Sequence, residues 1–183
     1  MAQLATFAGG CFWCIEAALA RVQGVSQVVS GYMGGSSATA NYRAVCTGST
    51  GHAEVVQLQF DPAQVSFELL LQMFFQLHDP TTLNRQGNDV GTQYRSEIFV
   101  HDETQLQVAQ RFIADKQPEY SAPIVTAISR ASTFYPAEAY HQDYFSQNPD
   151  QPYCAYLIAP KLAKFRQTFA AALGESDITA ELQ

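Results

Sequence analysis

Apolar and polar positions alternate early in the chain and then change period. Gln3 to Ala8 reads as a strand, and from Cys11 the apolar positions Cys14, Ile15, Ala18, Leu19 and Val22 recur at one-face helical spacing. Between them Gly9 and Gly10 give the backbone freedom for a tight strand-to-helix turn. Val25 to Tyr32 and Glu54 to Phe60 are β-rich, the second stopped by Asp61-Pro62. Ser66 is placed to cap an apolar helix from Phe67 to Leu77, and Asp102 with Gln105 resembles a capping box for a helix to about Lys116. Further strands are expected at Glu97 to Val100 and Ile124 to Ile128, with an extended run at Tyr153 to Ile158. Helices are expected from Pro136 through Phe145 and from Lys161 to Leu173.

Two stretches interrupt this rhythm. Gly34 to Gly51 is rich in Gly, Ser and Thr, and Asp79 to Arg95 has few aliphatic residues; both read as long loops of the kind that carry function. The whole predicts an α+β fold: a two-layer α/β plait with a ferredoxin-like core, long functional loops and a mixed, largely antiparallel sheet. Neither repeat nor linker is visible. One catalytic domain over residues 1–173 and a polar tail over 174–183 are expected.

Charge narrows the partners. A formal net charge of −7, with only ten Lys and Arg, offers no general attraction for nucleic acid or an anionic membrane. No apolar run approaches the ~20 residues of a membrane span, and the N-terminus has no basic, signal-like region. A cytoplasmic protein is expected. In a reducing compartment, the pair Cys11 and Cys14 reads as redox-active or metal-binding rather than as a permanent bridge. Structural zinc usually needs two tight ligand pairs. Here Cys46, Cys154 or His52 would have to complete a single pair, so neither metal nor cofactor is expected.

Cys11 follows the glycine turn at the start of a helix, where free N–H groups and the macrodipole favour a thiolate. That placement predicts a thiol pKa lowered into the roughly 3.5–7.5 range of reactive cysteines. No Cys–His dyad is evident, which argues against a thiol protease. His52, His78, His101 and His141 read as structural, and Cys46 as a packed thiol. A general dithiol–disulfide oxidoreductase using Cys11 and Cys14 alone is the competing function; it leaves the phenols and carboxylates of the two loops idle.

Four blocks taken together resemble the peptide methionine sulfoxide reductase A family: Gly10-Cys11-Phe12-Trp13, Thr50-Gly51-His52-Ala53-Glu54, Gly91-Thr92-Gln93-Tyr94-Arg95-Ser96 and Ala137-Glu138-Ala139-Tyr140-His141-Gln142. The likeness runs from about Ala5 to Arg166. It implies reduction of methionine S-sulfoxide, free or in proteins, with thioredoxin as reductant. It makes Cys11 the nucleophile, Glu54 the proton donor, and Tyr42 and Tyr94 hydrogen-bond donors to the sulfoxide oxygen. Asp89 belongs to the same site, and Phe12 and Trp13 seat the substrate's S-methyl group. Cys11 would be left as a sulfenic acid, which a second thiol must clear. Cys14 is near enough by helical spacing, while Cys154 lies where some family members carry their resolving cysteine. Both remain open, with Cys14 favoured.

Overall fold

The computed structural model describes residues 1–173; the expected tail over 174–183 lies outside the described residues. Strands β1 (Gln3–Gly9), β2 (Val25–Met33) and β3 (Ala53–Phe60) join β6 (Ser96–Val100), β7 (Ala127–Arg130) and β8 (Tyr135–Pro136) in one sheet. Its order is β7-β6-β1-β3-β2-β8. β1 runs antiparallel to β3 and β6, and β2 antiparallel to β3 and β8; only β6 and β7 pair in parallel. With α1 (Phe12–Leu19) and α3 (Phe67–Leu77) as the two crossovers, the central strands in the order β6-β1-β3-β2 form the expected ferredoxin-like βαββαβ unit.

Period-two alternation assigns the faces. Phe7, Val56, Leu58 and Phe60 point into the main core with Ile15, Leu19, Leu70 and Phe74. Phe7 stacks on Phe74 at 4.9 Å between ring centroids. The intervening Ala8, Met33, Ala53, Val55 and Phe99 form a smaller cluster on the opposite face, packed on Ala131 and Phe134. Glu54 shares the parity of Val56, so the same alternation sends its carboxyl toward the helix layer.

The caps follow the sequence closely. Ser66 Oγ accepts the Leu69 N–H at 3.1 Å. Asp102 accepts the Gln105 N–H at 2.7 Å and starts α4 (Glu103–Lys116). The Gln105 side chain accepts from the His101 N–H and donates to the Leu4 carbonyl, tying the helix to β1 instead of closing the box on Asp102.

Several expectations are corrected. Helix α1 is shorter than Cys11 to Val22, with Cys11 as its extended N-cap. The loop from Gly34 contains a 3-10 turn at Ser37–Thr39 and the short helix α2 (Tyr42–Val45). The loop from Asp79 contains a hairpin of β4 (Arg85–Gln86) and β5 (Asp89–Val90), then a 3-10 turn at Thr92–Tyr94. The strand expected at Ile124 to Ile128 pairs as Ala127–Arg130, because Val125 donates its N–H to Pro80 before the chain joins β6.

Larger corrections fall in the last third. Pro136 starts no helix but pairs with Gly31 in β8. A 3-10 turn at Ala139–His141 follows, and α5 is only Tyr144–Gln147. The Gln142 amide bonds both backbone groups of Ser30, and the Asp143 N–H donates to Glu16. These tertiary bonds hold Asp143 at a left-handed φ of 52° and stop a continuous helix. The run from Tyr153 is not extended: Cys154–Ile158 is a π-helical turn that leads into α6 (Ala159–Thr168). Burial of Cys154 and Ile158 on Cys14 and Ala17 outweighs the β-rich composition. α6 ends at Thr168, and Ala170–Ala172 forms a 3-10 turn. No helix among the described residues is long and apolar enough to cross a membrane.

Candidate active site

The β1–α1 turn positions Cys11. Gly10 adopts a φ of 93°, which L side chains rarely reach, and a Cβ there would lie 2.8 Å from Gln86 Cγ. Cys11 follows as the N-cap of α1. Glu54, at the start of β3, meets that helix start: Phe12 donates its N–H to Glu54 Oε1 at 3.2 Å.

The two loops close over this corner because they are tied together. Thr92 Oγ1 donates to the Gly48 carbonyl at 2.8 Å, and Gln93 Nε2 to the Cys46 carbonyl at 3.4 Å. Arg95 bonds Glu97, Thr92 and the Gly51 carbonyl. Tyr42 is set from another side. It is the first residue of α2, whose N-cap Asn41 accepts the Ala44 N–H, and its own N–H donates to Glu138 Oε2 at 3.2 Å. The other Glu138 oxygen accepts the Tyr32 hydroxyl at 3.0 Å.

The result is a hollow of about 170 Å³ lined by Cys11, Phe12, Trp13, Tyr42, Glu54, Asp89, Tyr94 and Tyr153. Seven residues singled out from the sequence thus share one cavity. A broader groove of about 760 Å³ at the end of α3 touches none of them, and no cysteine is among its described lining residues.

Tyr153 is the site residue that the sequence reading missed. Its hydroxyl donates to Asp89 Oδ2 at 2.7 Å and lies within hydrogen-bonding reach of the Cys11 sulfur. No local signal marks it, since it reaches the site only through the helical turn that replaces the expected strand. His141 supports the aromatic wall: it accepts from Trp13 Nε1 at 3.1 Å and packs 4.3 Å from the Tyr42 ring. Trp13 stacks on Tyr144 at 3.8 Å, with Tyr153 edge-on. Cys46 is exposed, not packed, and receives the Tyr42 hydroxyl as a hydrogen-bond donor.

Burial dominates the electrostatics. Glu54 is 2% exposed, and desolvation, aided by the Asp89 charge, pushes its carboxyl up to about 8 against the opposing Phe12 N–H. At pH 7 the acid form therefore prevails. The lowered Cys11 thiol expected from its helix position is corrected. Desolvation, and then the neighbouring Glu54 charge, hold it well above the usual thiol value, despite the Trp13 N–H and the Tyr153 hydroxyl. One helix start is too weak to offset that desolvation and the neighbouring carboxylate. Burial also raises Tyr42, Tyr94 and Tyr153, so all three hydroxyls keep their protons to donate.

Cys14 is outside this hollow. It is buried and lines a second cavity of about 400 Å³, which Cys11 also borders. Cys154 is fully buried behind Cys14, in a cluster with Ala17 and Ile158. Among the described residues, no three His, Cys, Asp or Glu side chains are grouped to hold a metal ion.

The sequence model described as peptide methionine sulfoxide reductase matches residues 3–173. The chain belongs to the peptide methionine sulfoxide reductase family. It is 55% identical over 167 residues to the peptide methionine sulfoxide reductase MsrA of Polynucleobacter asymbioticus, covering 90% of this chain and 88% of that one. The crystal structure of reduced Mxr1 from Saccharomyces cerevisiae superposes with a TM-score of 0.77 at 36% identity, over 82% of this chain and 87% of that one. Mxr1 in complex with Trx2 gives a TM-score of 0.54 at 26% identity, over 78% and 84% of the two chains.

Proposed function

We propose that this chain, as one catalytic domain over residues 1–173, reduces the S epimer of methionine sulfoxide, free or within proteins, using Cys11 as nucleophile. The single observation that carries the reading is that Cys11, Glu54, Tyr42 and Tyr94 open onto one small hollow. The Cys11 sulfur attacks the sulfoxide sulfur. Glu54, held as the acid, gives its proton to the oxygen, and the thiol proton restores it. Tyr42 and Tyr94 donate to the same oxygen as charge gathers there, and Tyr42 leaves Cys46 to do so. Phe12 and Trp13 supply the apolar seat for the methyl group. Asp89, held by Tyr153, braces the wall beside Cys11. Methionine departs, the oxygen stays on Cys11 as a sulfenic acid, and proton and oxygen counts balance.

Cys14 then attacks the sulfenic sulfur, expelling the oxygen as water and leaving a Cys11–Cys14 disulfide. Its place on a cavity shared with Cys11 favours it over Cys154, which lines neither cavity. A thioredoxin-type dithiol protein reduces the disulfide by exchange; the yeast relative's structure with Trx2 supports this partner. A cytoplasmic location fits chemistry that starts from free thiols.

The test is one turnover with limiting methionine S-sulfoxide, followed by a disulfide map. The expected pair is Cys11–Cys14. Sulfoxide loss that persists in Cys11→Ser would remove the whole reading, whereas a Cys11–Cys154 pair would reassign only the resolving thiol.

A further inference from the structure

We propose that Lys161 is a positioning residue for the second half of the reaction: its ammonium favours the thiolate of Cys14 as that sulfur attacks the oxidised Cys11. The inference rests on Cys14 as the resolving thiol. Lys161 stands in the first turn of α6, four residues after Leu157, so the two share a helix face. That face borders the second cavity together with Cys11, Cys14, Gln86 and Asp89. Among the described residues lining it, Lys161 supplies the positive charge and Asp89 the negative one.

The chemistry calls for such a group. Cys14 attacks only as a thiolate: its sulfur forms the S–S bond while the S–O bond of Cys11 breaks. Cys14 is oxidised and Cys11 reduced; the proton lost by Cys14 and the hydroxide lost by Cys11 together make one water. Cys14 is only 8% exposed, and burial pushes its thiol up, which works against this step. Lys161 is the group that pulls it back down. The other titratable groups facing Cys14 are Cys11 itself, Asp89 from β5, Tyr144 from α5, and Tyr153 and Cys154 from the turn that leads into α6. His78, at the end of α3, also feels the Lys161 charge. None of these is a cation at neutral pH: His78 is held neutral by burial. Lys161 is solvent-exposed, on the same cavity as the largely buried Cys14.

The magnitude follows from two opposed effects. Each unit by which the Cys14 thiol rises cuts its thiolate fraction about tenfold. The more basic thiolate recovers roughly the square root of that loss, leaving a net slowing of about threefold. Lys161→Gln is expected to release its first methionine as before, then to form the Cys11–Cys14 disulfide about threefold to tenfold more slowly at pH 7. Sulfenic acid should accumulate on Cys11, trappable by a dimedone-type reagent, and the deficit should shrink as pH rises. Lys161→Arg should restore the rate, and added salt should slow the native protein toward the glutamine variant.

The measurement is rapid quench after mixing reduced enzyme with excess methionine sulfoxide and no reductant, with peptide mapping of each quenched sample. A Lys161→Gln variant that closes the Cys11–Cys14 disulfide at the native rate and pH profile overturns the role of Lys161 alone. A native map showing Cys11 joined to Cys154 overturns both this role and the assignment of Cys14.

Discussion

The Tyr153 hydroxyl donates to Asp89 Oδ2 at 2.7 Å while standing against the Cys11 sulfur. This bond joins the turn before α6 to the β4–β5 hairpin and places a phenol beside Cys11, although 142 positions in the sequence separate Cys11 and Tyr153. A charge-assisted bond of this kind contributes about 1.5–3 kcal/mol. Tyr153→Phe is therefore expected to lower kcat/KM roughly tenfold or more, with the optimum for Cys11 alkylation moved to higher pH. Unchanged kinetics would make the contact purely structural.

As the proposed proton donor, Glu54 should set the pH profile of methionine release. In the proposed mechanism the acid form reacts, so with a value of about 8 the single-turnover rate is expected to fall as pH rises through that point. Glu54→Gln should lower this rate by about two orders of magnitude or more and abolish the fall near pH 8. Stopped-flow measurement of methionine release from pH 6 to 9 checks both.

His78 sets an acid limit on stability. Its Nδ1–H donates to the Phe74 carbonyl at 2.7 Å, which leaves Nε2 of the neutral ring to accept from Ser96 Oγ at 2.7 Å. Burial lowers the imidazole from 6.5 to about 4. Because the folded value is depressed, the contribution is fully present above the unfolded value near 6.5 and is lost as pH falls through about 4. The loss amounts to about 3 kcal/mol. Denaturant titrations between pH 7 and 4 should show it, and NMR titration should find this ring neutral at pH 5.

Gly10 is the conformational pivot before Cys11. Gly10→Ala must hold a φ of 93° and fit a methyl 2.8–2.9 Å from the Gln86 side chain, which is itself bonded to Asp79. The expected cost is about 2–4 kcal/mol. Because any relaxation moves the N-cap, methionine release should suffer more than the thermal midpoint does. A variant as stable and as active as the native protein would show that the turn accepts a left-handed side chain.

Much of this was readable along the chain. The β1–α1 turn, the Ser66 and Asp102 caps, and the parity that aims Glu54 inward depend on neighbours a few residues apart, and local periodicity records those. Three of the motif blocks contain five of the lining residues, Cys11, Phe12, Trp13, Glu54 and Tyr94, and the two polar loops supply Tyr42 and Asp89, because each segment carries its chemistry over a short stretch. Other features depend on partners far along the chain. The break at Asp143 arises from Glu16 and Ser30, and the helical turn at Cys154 arises from Cys14 and Ala17; no window around either position contains its cause. The state of Cys11 is of the same kind. Its place at a helix start pointed to a lowered thiol, but the depth of the hollow and the approach of Glu54 reverse the sign, because desolvation is a property of everything packed around an atom and not of its position along the chain.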